Sequence, residues 1–366
     1  MGYIAGLITG GICFTKKESK LAYLLAGVYA WILFGFNTNN LDYANYKGRF
    51  EGAGGAITEP VFLFILKVFR KLGFRYQSFL CVYAAVCLIL LSVIIIKYSP
   101  YPAAVFFLYL VFPFCLDTVQ IRFFLASSIV LVALCLILKY KTNKKLLYIA
   151  GFVLLVGLAT GIHYSAALYM IFIVLFLDEK RAGFILYCLI PAAMLAGCAA
   201  LPHIPDLLGA FIGMDKANAW LGSLEVASMT RVIRLVMIRG GLLFLCLIAK
   251  HLPWREDVRF DESGTAAQVD DGLLLLTLYS LLFTIFEAVL GSSYERLTRP
   301  GLLTGLIYIS RKISLTDKKT RTLMWILMAG LVLLNFYAAL FLGINRGGTN
   351  FFESVFLNMF RNNAVF

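Results

Sequence analysis

The side chains with chemistry to offer are arginines, one histidine and a few carboxylates at the ends of apolar runs. Arg122, Arg239, Arg296 and Arg299 each begin or interrupt such a run. A guanidinium at that depth is costly unless it faces a wet cavity or an anion. Its planar fork matches phosphate oxygens two at a time, so these four are the expected anion-binding residues. His163, in GIHYSA, ends another run. An imidazole there suits proton transfer near neutral pH, although a histidine in an apolar stretch equally serves as a hydrogen-bonded core residue. Asp42 and Tyr46 form an Asp-x-x-x-Tyr element inside the polar stretch NTNNLDYANYKGRFEGAGGAITE, residues 37–59. Two turns bring opposite charges together: DTVQIR, with Asp117, Gln120 and Arg122, and YERLTRP, with Glu295, Arg296 and Arg299. If the second is helical, Glu295 and Arg299 lie one turn apart and pair. For both turns a structural ion pair and a binding site are equally open.

The elements that must position these residues follow from composition. Hydrophobic residues make up 61% of the 366 and charged residues 14%, whereas a soluble domain carries about a quarter charged. Lipid is therefore the solvent. The alternating ten-residue segments of a barrel are missing. Helices remain, because backbone crossing a bilayer must satisfy its own hydrogen bonds. The expected fold is an all-α polytopic integral membrane protein, one transmembrane domain over residues 1–366. Twelve apolar segments stand near 2–14, 21–36, 78–96, 103–116, 122–139, 146–161, 164–177, 183–201, 232–249, 272–290, 298–310 and 322–342. Several fall short of the roughly 20 residues a full crossing prefers and read as tilted, half-length or re-entrant pieces.

Lysine and arginine set the orientation. Placing Lys16, Lys17 and Lys20 in the cytoplasm and alternating puts Lys97, the Lys139–Lys145 group, Lys180, Lys250 and the Arg311–Arg321 group there too. Both termini then face outward. The stretch 37–77 becomes an external loop followed by an amphipathic helix, near 60–77, lying along the interface with Lys67, Arg70, Lys71 and Arg75 on its polar side. Residues 202–231 form a second external loop, and 251–271 a mobile cytoplasmic connector. Arg122, His163, Glu295, Arg296 and Arg299 share the outer face with Asp42.

The eight cysteines lie in apolar runs without a Cys-x-x-Cys pair and read as small buried hydrophobes. No cluster has metal-ligand spacing, and no nucleotide-binding glycine motif occurs; neither metal nor cofactor is expected. The first run is followed by lysines rather than a cleavage site. The net charge of +13 is scattered through short loops, which fits membrane topology rather than nucleic acid.

The chain resembles the EpsG family of bacterial exopolysaccharide proteins, related to Wzy-type polysaccharide polymerases. The likeness rests on elements in family order: Asp42-x-x-x-Tyr46, then Glu59-Pro60-Val61-Phe62, then Gln120-x-Arg122-x-x-x-Ala126, then Ile162-His163-x-Ser165-Ala166, and a late external arginine in YERLTRP. Asn40 and Val61 stand where the family usually has glycine.

The resemblance implies a bacterial cytoplasmic-membrane enzyme acting at the extracytoplasmic side. Its substrate would be an oligosaccharide repeat unit on undecaprenyl pyrophosphate, and other polysaccharide assembly proteins are possible partners. A sugar hydroxyl on one unit attacks the anomeric carbon of another, and the pyrophosphate leaves. Arg122, Arg239, Arg296 and Arg299 would hold that pyrophosphate. His163 would be the base, with Asp42 and Glu295 next. Tyr43, Tyr46, Asp117 and Gln120 would meet the glycan. A ligase using the same donor, a glycan-lipid flippase and a non-catalytic scaffold are the competing readings.

Overall fold

The computed structural model describes residues 2–53, 58–177, 179–185, 188, 192, 229–252, 265–290, 292–342 and 350–365. They are helical almost throughout. α1 (Gly2–Thr15), α2 (Lys20–Gly35), α3 (Tyr43–Glu51), α4 (Pro60–Lys71) and α5 (Tyr76–Tyr98) lead to α6 (Pro102–Val111), α7 (Phe114–Val119), α8 (Ile121–Asn143) and α9 (Leu146–Ile162). A 3-10 helix, Tyr164–Phe176, and α10 (Glu179–Phe184) follow. The chain continues with α11 (Met229–Lys250), α12 (Thr265–Leu290), a 3-10 turn (Ser292–Thr298), α13 (Arg299–Ser314), α14 (Lys318–Leu340), a π-helical turn (Phe352–Leu357) and α15 (Asn358–Arg361).

Helix α8 is the axis of the bundle. It packs against α5, α7, α9, α12 and the 164–176 helix. α13, buried from Arg299 to Ser310, is the second inner helix. Around these two, Leu7, Leu24, Ile89, Leu154, Ile326 and Leu333 point outward and exposed. Apolar side chains on the rim as well as in the core are what a lipid solvent requires. Tyr76–Tyr98, Ile121–Asn143, Ala266–Thr284 and Lys318–Leu340 are each long and apolar enough to cross a membrane alone. Shorter apolar helices accompany them. The 164–176 segment reconciles 13 residues with a crossing, because a 3-10 helix rises about 2.0 Å per residue and so spans about 26 Å.

Several expectations change in detail. The run 103–116 is two helices, α6 and α7, since Pro113 between them lacks the N–H to continue α6. The amphipathic helix ends at Lys71 rather than near 77. Gly73 turns the chain at φ +77°, a conformation glycine adopts without penalty, and Arg75 caps the start of α5. The connector 251–271 ends earlier, because α12 begins at Thr265. Asp270 is buried there with Lys312 Nζ at 2.8 Å and Arg311 beside it. Most of 183–201, and the loop 202–228, lie outside the described residues.

The two ends of the bundle differ. Tyr3 packs on Phe360 with ring centres 4.2 Å apart, and Thr38 donates its backbone N–H to the Asn362 carbonyl at 2.7 Å. Both termini therefore share the end that carries the 37–59 loop. The opposite end gathers Lys17 over the Trp325 ring, Lys97 over Tyr98, and Arg311 with Lys312 on Asp270.

Candidate functional site

The polar loop folds around Asn40. Its Oδ1 accepts the Asp42 N–H at 3.0 Å, and its Nδ2 donates to the Thr118 carbonyl at 3.4 Å. Asparagine thus builds the turn with its own side chain where a glycine would build it with backbone freedom. Asp42 then starts α3, and its carbonyl accepts the Tyr46 N–H at 2.9 Å. The four-residue spacing puts both side chains on one helix face.

Arg122 is the second residue of α8, just past the break at Gln120. Its Nη1 donates to Glu59 Oε1 at 2.7 Å and its Nε to the Tyr46 hydroxyl at 3.3 Å. The guanidinium lies over the rings of Tyr46 and Phe62. Glu59 is held at this height by Pro60, which opens α4, and by the packing of α4 on α9. A Cβ on Gly161 would stand 2.4 Å from Val61 Cγ2. Val61 thus fills a notch that Gly161 leaves in α9, which accounts for a side chain after Glu-Pro. Tyr164 adds a hydrogen bond to the Thr58 carbonyl at 2.8 Å.

His163 links α9 to the 3-10 helix. Its Nδ1 accepts the Ser165 backbone N–H at 3.3 Å and sits 2.8 Å from the Ser165 hydroxyl. The imidazole stands edge-on to Phe123, 5.6 Å between ring centres, and the Arg296 guanidinium lies 5.6 Å from the centre of the same ring. Arg296 is aimed there by its turn. Leu297 is buried and its carbonyl accepts from Tyr169 at 2.9 Å.

Asp42, Arg49, Tyr46, Glu59, Arg122, His163 and Arg296 therefore form one cluster. Burial raises the Asp42 carboxyl above its ordinary value, while Arg122, Arg49 and Arg296 pull the other way. That carboxylate accepts no hydrogen bond among the described residues. Burial, then the charges of Arg296 and Arg122, pushes the His163 imidazole down to about 3. It is neutral at physiological pH.

The other expected site residues go elsewhere. Arg299 is buried and donates to Asp117 Oδ1 at 2.6 Å, and Asp117 also accepts from Tyr109 at 2.5 Å. The two charged turns pair across each other rather than each within itself. Glu295 acts on this buried pair through its charge. Arg239 is buried among α11, α12 and α14 with Glu287 and Asn335, each at 3.3 Å. Tyr43 donates to Gln77 at 2.9 Å and packs on Tyr76. Tyr46 stays within the cluster, where it is buried and its hydroxyl accepts from Arg122 Nε. Gln120 keeps a buried Oε1 without a hydrogen-bond partner among the described residues. Phe123, the place of Arg49 beside Asp42 and the role of Glu59 as the partner of Arg122 escaped the sequence reading. The Glu59-Pro60 element of the family resemblance was the signal for Glu59; nothing local marks the other two.

Among the described residues no three histidine, cysteine or acidic side chains gather as metal ligands would. A cleft of about 250 Å³ lined by Lys141, Lys144, Gln268 and Asp271 lies at the opposite end of the bundle.

No curated protein and no solved structure matches the chain. The profile of the EpsG family matches residues 20–357, a range that holds every residue of the cluster. The chain belongs to the EpsG family, a Wzy-type polysaccharide polymerase-like family of membrane proteins.

Proposed function

We propose that the protein polymerises lipid-linked oligosaccharide repeat units at the outer leaflet of the bacterial cytoplasmic membrane. It transfers glycan from undecaprenyl pyrophosphate to a sugar hydroxyl of another lipid-linked unit. The observation that carries this reading is the convergence of Arg122, Arg49 and Arg296 with Asp42 and His163 at one end of an apolar bundle. A pyrophosphate leaving group gains charge as its bond to the sugar breaks. Fixed cations aimed at that charge lower the barrier, because they need no reorganisation when it develops. Glu59 and Tyr46 occupy Arg122 Nη1 and Nε. Nη2, which makes no hydrogen bond among the described residues, is left for a phosphate oxygen. The exposed apolar flanks of α4 and α9 offer the polyprenyl chain a lipid-side path.

Reconstitution with lipid-linked repeat units tests the reading. The expected result is glycan longer than one repeat together with released undecaprenyl pyrophosphate, and neither with Arg122→Ala. Movement of unextended repeats across the bilayer would instead indicate a flippase. Transfer of finished glycan only to a non-glycan acceptor would indicate a ligase.

A further inference from the structure

We propose that His163 serves the transfer as a neutral hydrogen-bond donor through Nε2–H, and that Asp42 takes the proton from the attacking hydroxyl. The inference rests on the polymerase reading and divides the labour within that site.

A backbone N–H can only donate. The Ser165 N–H therefore marks Nδ1 as the unprotonated nitrogen. The Ser165 hydroxyl, 2.8 Å away, donates to the same lone pair. A neutral imidazole carries one proton, so it is on Nε2. The histidine lone pair is occupied in capping the helix that follows, and the nitrogen left for substrate offers a hydrogen. The two-residue spacing of His163 and Ser165 is what closes this ring. Such a group can hold a sugar hydroxyl or a phosphate oxygen, but it cannot accept a proton without breaking its own cap.

The carboxylates remain. Glu59 is held by Arg122 at 2.7 Å. Glu295 faces the buried Asp117–Arg299 pair. Asp42 is half-buried beside Arg122, Arg49 and Arg296 with both carboxylate oxygens unengaged among the described residues. In the transfer the acceptor oxygen forms its bond to the anomeric carbon and gives its proton to Asp42. The bond from that carbon to the pyrophosphate oxygen breaks, and its electron pair leaves with the pyrophosphate. Asp42 then returns the proton to water.

The test compares three substitutions of one residue in the reconstituted full chain. In His163→Gln the carboxamide N–H₂ reaches the place of Nε2–H, so extension should fall no more than about tenfold. His163→Asn keeps an oxygen that can cap Ser165 but lacks the longer donor, so it should insert normally and fall about 100-fold or more, as removal of one stabilising donor does. A purely structural cap would give the reverse order. His163→Ala should resemble Asn in rate. Asp42→Asn should fall about 100- to 10,000-fold. A His163→Gln protein as inactive as His163→Asn, or Asp42→Asn with more than a tenth of the wild-type rate, overturns the assignment and leaves the polymerase reading intact. Wild-type protein that never extends glycan removes the polymerase reading instead.

Discussion

Arg122 meets Glu59 at 2.7 Å although 63 residues separate them. This pair fastens the start of α8, the inner helix, to the start of α4, a short helix on the rim. It also leaves the guanidinium fork half engaged and aimed. The pair therefore holds two elements together and, in the proposed reading, presents a cation to the pyrophosphate.

Substitution separates them. Arg122→Ala should cut extension by about 100- to 1,000-fold, the size expected when a charge-stabilising donor is lost. Arg122→Lys keeps the charge without the fork and should recover only part. Glu59→Gln keeps Arg122 in place through Tyr46 and should cost less than either. Gel profiles of glycan length, normalised to protein in the membrane fraction, rank the three. Full-length polymer from Arg122→Ala would take this residue out of the mechanism.

The notch between Gly161 and Val61 sets the height of Glu59. Gly161→Ala forces a Cβ to 2.4 Å from Val61 Cγ2 and should destabilise by about 1–3 kcal/mol, as overpacking does. Val61→Gly in the same chain should restore much of the loss. Melting in detergent of the single and double variants reads the coupling. Additive effects would mean the two sites do not share the strain.

Asp117 and Arg299 are a buried pair with Tyr109 as third partner. Removing one member strands the other. Arg299→Ala should destabilise by about 3–5 kcal/mol, and the protein that remains folded should still extend glycan. Loss of activity at unchanged melting temperature would return Arg299 to the pyrophosphate site.

The pH dependence has a definite sign. The folded state holds His163 down to about 3 from 6.5, by burial and by Arg296 and Arg122. Its contribution to stability is present above pH 6.5 and lost as pH falls toward 3. Asp42 is raised above 3.8 by burial, against Arg122, Arg49 and Arg296. That shift favours the folded state when the carboxyl is protonated and is lost as pH rises through the raised value. A proton acceptor must be ionised, so the extension rate should fall as pH drops through the Asp42 value, at a midpoint above 3.8. The acid limb should persist in His163→Gln. Its disappearance there would assign the limb to the imidazole.

Orientation is open to labelling. Single cysteines at Lys47 and Lys319 lie at opposite ends of the bundle. The first should react with an impermeant maleimide on intact cells, and the second only after permeabilisation. The reverse pattern would turn the site toward the cytoplasm.

Much of this arrangement was legible before any fold was known. Apolar runs of helical length dictate helices in lipid, because unpaired backbone cannot stay in hydrocarbon. Every expected run except 183–201 falls on a helix in the described residues. The Asp42-to-Tyr46 spacing and the His163-to-Ser165 spacing are local, and local geometry follows from local sequence. Pro60 marks the real start of α4 for the same reason, whereas the expected helix, near 60–77, runs past the turn at Gly73.

Partner choice is another matter. Arg122, Arg239, Arg296 and Arg299 look alike in sequence, each at or inside an apolar run. Only packing distinguishes them. Arg239 and Arg299 are buried against Glu287 and Asp117 from other helices, whereas Arg122 and Arg296 converge near Phe123, His163 and Asp42. Sequence determined which groups must reach a membrane surface, since the cost of burying a charge depends on the residue and its apolar neighbours. The tertiary structure decided which of them meet, since an ion pair depends on which helices lie side by side and at what height.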